Sequence, residues 1–149
     1  MGEIKNLNFG MPKRKKFSID GDENRVIELD TGDTGIMGRW SAVQEWIEQA
    51  AQELETLADA GKSEEQAASA SKRFAEINAG AREKLNFLFD TDVCTPIAGN
   101  GALIRMVEGE PLFMRIIDTI LPLYEADIKV EYEKSKRRIE KHTAKYAAK

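Results

Sequence analysis

Two Asp-Thr-Gly tripeptides stand within six residues, Asp30-Thr31-Gly32 and Asp33-Thr34-Gly35. That string surrounds the reacting carboxylate of aspartic proteases, where two aspartates from two lobes share one proton on loops held between β-strands. Here both aspartates belong to one segment, and the chain after them takes up a helical period. One short hairpin cannot supply the β-fold that this chemistry needs. The expectation is turn chemistry, with Gly32 relieving the backbone and Asp33 or Thr34 capping a helix.

Other candidate chemistries fail on spacing. Asp20, Asp22 and Asn24 fall at the first, third and fifth positions of a calcium loop, but Arg25 replaces the turn glycine and Thr31 the bidentate glutamate. The stretch AGNGALIR has glycines without the Gly-Lys-Ser/Thr of a phosphate loop, and is expected to be a flexible connection. Cys94, the single cysteine, cannot close an intrachain disulfide, and with the single histidine, His142, it cannot build a zinc cluster. Cys94 is expected to be a small buried hydrophobe and His142 an exposed residue among lysines. No catalytic residue, metal or cofactor is assigned.

The charges carry more. The net charge of -4 over 149 residues hides basic ends on an acidic body. Residues 134–149 hold seven Lys or Arg against one Glu, and residues 1–17 hold five against one, which leaves about -14 for the rest. Lys134, Lys136, Arg137, Arg138, Lys141 and Lys145, with Tyr146, are candidate partner-binding residues. They can meet an acidic protein or a phosphate backbone, although no DNA- or RNA-reading motif accompanies them. Opposite patches on one chain also favour head-to-tail contact between copies, so a homo-oligomer is expected. Trp46, at the edge of a helical seam, and Phe113 are the candidate apolar anchors.

These residues need elements to position them, and the chain length suits one domain. Residues 1–15 read as a basic arm without apolar period. Residues 16–30 read as a short β-hairpin turning at Gly21-Asp22-Glu23-Asn24. From about residue 34 to 60, Ile36, Trp40, Val43, Ile47, Ala50, Leu54 and Leu57 alternate spacings of three and four, the seam of a packed helix. Gly61 closes it, and Ser63 with Gln66 opens a second helix over 63–89, whose face is Ala67, Ala70, Phe74, Ile77, Ala81, Leu85 and Leu88.

After a short turn at Val93–Ala98 and an irregular loop, a third helix runs over 111–133 with Pro111 in its first turn. Pro122 kinks or restarts it. Residues 134–149 then form a basic helical tail projecting from the body. The fold class is mainly α: an antiparallel helical hairpin, a third long, proline-kinked helix and a short N-terminal β-hairpin. The sequence holds no uninterrupted apolar run of membrane-spanning length and no apolar core of a secretory signal, so the expectation is a cytosolic protein.

The hairpin ending in LDTGDTG, the two-helix unit, the string LNFLFDTDVCTPIAGNG and the end EYEKSKRRIEKHTAKYAAK together resemble the tail assembly chaperones of long-tailed bacteriophages and prophages of Gram-positive hosts. The most specific part is Phe89 to Cys94, Phe-Asp-x-x-Val-Cys, followed by a glycine-containing loop and a long helix into a basic tail. The resemblance implies a non-enzymatic protein of the host bacterial cytoplasm, absent from the mature virion. Such a protein coats the tape measure protein, keeps it soluble and recruits tail-tube protein. A small phage-encoded regulator that binds nucleic acid, or a host protein associated with it, is the alternative.

Overall fold

The hairpin forms where Asp20 and Gly21 both take positive φ, 51° and 77°. This is the primed two-residue turn whose twist suits two antiparallel strands. In the computed structural model, which describes residues 2–59 and 63–147, strand β1 is Lys15–Ile19 and β2 is Asp22–Leu29. The turn thus sits ahead of the Gly21–Asn24 expected from polarity alone. Asp-Gly supplies the left-handed pair, whereas Asp22 instead accepts from Asn24 N at 2.9 Å. The register slips after Ser18↔Val26 to Ile19↔Asp22. The bulge lets β2 bury Ile27 and Leu29 and aim Arg25 sideways.

Helix α1, Ile36–Asp59, follows the Asp-Thr-Gly joint, and α2, Glu64–Phe89, runs back along it. Their expected seams meet in one core, Ile36, Val43, Ile47, Ala50 and Leu54 of α1 with Ile77, Ala81, Leu85 and Leu88 of α2, whereas Ala67, expected on the α2 face, is exposed. Ser63 caps α2, its hydroxyl accepting from Gln66 N at 3.2 Å. Gly61 lies outside the described residues. Asp90 ends α2 in the left-handed region, at φ 53°, donating its N–H to Asn86 and Phe87 carbonyls.

The segment after α2 is pinned, not loose. Helix α3, Cys94–Ala98, leads into a second small hairpin, β3 Met106–Val107 with β4 Glu110–Pro111, turning on Glu108 and Gly109 at φ 51° and 84°. Three polar side chains four apart on α2 hold it. Asn86 Oδ1 accepts from Val93 N, Arg82 donates to Gly99 O at 2.7 Å, and Asn78 Oδ1 accepts from Leu103 N at 2.6 Å. The flexible connection expected here is therefore corrected.

Helix α4 spans Leu112–Ala147 as one helix of 36 residues. Pro111 belongs to β4 and does not open the helix. Pro122 lies inside α4 without restarting it. Its missing N–H leaves the Asp118 carbonyl one partner short, and both residues lie on the exposed face, where water replaces that bond. The basic tail continues the same helix through Ala147. Phe113, Ile116, Ile117, Ile120, Tyr124 and Ile128 bury α4 against the α1–α2 hairpin, with the Phe89 and Tyr124 rings 5.9 Å apart.

Candidate protein-binding surface

The Asp-Thr-Gly joint acts as a bracket between elements. Asp33 Oδ1 accepts from Gly35 N at 2.9 Å, and its other oxygen pairs with Arg39 at 3.1 Å. Arg39 also donates to the Leu88 carbonyl at the end of α2, at 2.8 Å. Thr31 is buried and its hydroxyl donates to Asp127 on α4, which also takes Lys15 Nζ at 2.6 Å. These bonds, the Lys15 one foremost, hold the Asp127 carboxyl below its ordinary range. Both tripeptides are spent on turns, a hydrogen bond to α4 and one ion pair.

The residues of other candidate chemistries sit in similar structural roles. Cys94 is fully buried, its Sγ donating to the Arg82 carbonyl at 3.8 Å, and burial pushes its thiol up to about 12. No thiolate nucleophile forms there near neutral pH. Among the described residues, no group of three His, Cys, Asp or Glu side chains could hold a metal ion.

The two apolar anchor candidates part company. Phe113 has 0% exposure and is a core ring, which corrects its reading as a surface anchor: α4 turns it inward against α1 and α2. Trp46 stays half-buried, its ring laid on Gly80 of α2 so closely that a Cβ there would stand 2.4 Å from Cζ2. Lys84 Nζ caps the same ring at 5.9 Å from its centroid. Packing with α2 occupies that indole.

The basic residues, by contrast, stand clear of the body. Past Ile128 every described side chain of α4, through residue 144, is exposed, including Lys134, Lys136, Arg137, Arg138, Lys141 and His142. Tyr132 and Ile139, seven residues apart and 60% and 62% exposed, prolong the stripe that upstream fills the core. Between those cations Lys134 pairs with Glu131 at 3.3 Å, which leaves the basic excess intact. The side chains of Lys145 and Tyr146 lie outside the described residues.

Residues Gly10–Lys13 run beside Val130, Glu131 and Lys134, so the N-terminal arm leaves the body at the same end as the tail. One end of the molecule thus gathers two basic segments. The structure brings the basic candidates together on the exposed half of α4, while Phe113 lies buried in the first turn of the same helix and Trp46 lies on α1. The arm's exposed Ile4, Leu7, Phe9 and Met11 were missed by the sequence reading, although their apolar types amid a polar arm were a visible signal.

Among the described residues no helix is long and apolar enough to cross a membrane. Compared with known proteins, the chain matches no protein-family model, no curated protein and no solved structure.

Proposed function

We propose that this protein is a phage tail assembly chaperone, a binding protein that holds helices of the tape measure protein and helps recruit tail-tube protein. The observation that supports this reading most is the bare half of α4. A helix with an exposed Tyr132–Ile139 stripe set among Lys134, Lys136, Arg137, Arg138 and Lys141 suits an amphipathic helix with acidic flanks. Apolar contact supplies affinity, and the cations select the partner and speed encounter. The resemblance of the Phe89–Cys94 string and the basic end supplies the client's identity.

The competing reading, nucleic-acid binding, draws on the same cations. A phosphate partner gains nothing from Ile139, whereas a helical client does. Co-expression with the proteins encoded beside the gene tests the proposal. Co-purification of the tape measure protein is expected, and a wild-type chain that never retains it sinks the chaperone reading. Retention of nucleic acid that weakens steeply with salt, and is lost when residues 134–149 are deleted, would favour the alternative.

A further inference from the structure

The N-terminal arm and the groove between α1 and α4 are complementary surfaces left without partners. Ile4, Leu7, Phe9 and Met11 are 98%, 75%, 79% and 76% exposed, more than any other large apolar side chains among the described residues. Asn8 Oδ1 accepts from Gly10 N, and Gly10 at φ 64° bends the arm there. Before the bend Leu7 and Phe9 share one side with Lys5, and straightening at Gly10 adds Met11 and Lys13 to the same row.

The groove, of about 510 Å³, has a largely apolar lining that includes Met37, Trp40, Leu121, Ile128 and Tyr132, with Glu125 and Lys129 both in its wall. Met37 and Tyr132 are exposed at 61% and 60%. This is the size of a pocket that takes several apolar groups.

The root of the arm does not line its own groove. Its root follows the flank of α4 that carries Asp127, Val130 and Glu131, whereas the groove lies on the flank with Glu125, Ile128 and Tyr132. At about 100° per residue, Val130 and Tyr132 diverge by about 160° around the helix. Fully extended, residues 2–14 span about 40 Å, enough to reach beyond the body. Charge points the same way, since a basic arm is drawn to a body with about -14 charges.

We infer that the arm of one copy seats Leu7, Phe9 and Met11 in the α1–α4 groove of a second copy. Each copy contributes one arm and one groove. The contact shares Tyr132 with the client stripe but uses neither Ile139 nor the tail cations, so variants in the arm and at Met37 test it apart from client binding.

The test uses the full chain and two variants changed at exposed positions, L7S/F9S in the arm and M37E in the groove. Wild type should associate with rising concentration in sedimentation, and each variant should dissociate about 100-fold more readily or more. Mixing the variants should restore a dimer, because one retains the groove and the other the arm. A F9C/M37C chain should oxidise to a band of doubled or higher mass. A monomeric wild type, unchanged association of the arm variant, failure of the mixture to dimerise, or a disulfide confined to one chain would each overturn the inference.

Discussion

Arg25 of β2 and Arg82 of α2 grip the same end of α3. Arg25 donates to the Pro96 and Ile97 carbonyls, at 2.8 and 2.5 Å, and Arg82 donates to the Gly99 carbonyl at 2.7 Å. The last carbonyls of a helix lack internal donors and carry partial negative charge, so two guanidiniums satisfy and neutralise that end. The bulge in β2 is what turns Arg25 toward it.

Replacing either arginine by alanine should cost about 2 kcal/mol, since each mutation strands part-buried carbonyls that had charged donors. Hydrogen exchange should rise selectively over residues 93–103 in both variants. Denaturant melts of the double variant should show less than the sum of the single losses, because the two share one small element.

Gly80→Ala tests the α1–α2 interface. Alanine raises helix propensity by about 1 kcal/mol. Its Cβ, however, would meet Trp46 Cζ2 at 2.4 Å and Cη2 at 2.8 Å, against a ring already held by Lys84. Overpacking of this kind costs about 1–3 kcal/mol, so a net loss is expected. A thermal melt at or above wild type would show that the indole swings out freely.

Asp90→Gly should raise stability by about 1 kcal/mol, since a left-handed non-glycine residue is strained and its Arg14 partner is 4.0 Å away on the exposed surface. Urea midpoints of the two chains measure this directly.

Alkaline pH should destabilise the fold. Burial pushes both the Cys94 thiol and the Tyr124 phenol up to about 12, from 9.0 and 10.0. Between those limits the unfolded chain loses protons that the native chain keeps, so the contribution of these two groups is constant below about pH 9 and falls toward pH 12. Cys94→Ala should flatten the first part of that fall, between about pH 9 and 10. In the intact chain, a thiol reagent at pH 8 should label Cys94 only on unfolding.

The long helices were readable because one face of each must fill a core, and the 3.5-residue spacing of Ile36 to Leu54 and of Ala70 to Leu88 records it. The first hairpin was readable as well, but its turn was placed by polarity, whereas backbone handedness put it on Asp20-Gly21. The Met106–Pro111 hairpin has strands of two residues, too short to show a period, and only Glu108-Gly109 marked it.

Asn78, Arg82 and Asn86 form a visible row on α2, yet a sequence does not say which distant carbonyl or amide each will meet. Pro122 suggested a break because its surroundings, not its ring alone, decide the outcome: its face of α4 is open to water. The exposed cations of the tail were readable from composition. The placement of Phe113 in the core was not, since an apolar residue on a helix reads equally as core or anchor.

Co-expression with a charge-reversed tail tests most directly the proposal that the bare half of α4 holds helices of the tape measure protein. Wild type should keep the tape measure protein soluble and carry it through purification. The K136E/R137E/R138E variant, changed only at exposed positions, should fold with an unaltered melt and leave that protein in the pellet. Equal recovery of soluble tape measure protein with wild type and with the variant would show that the tail does not hold it.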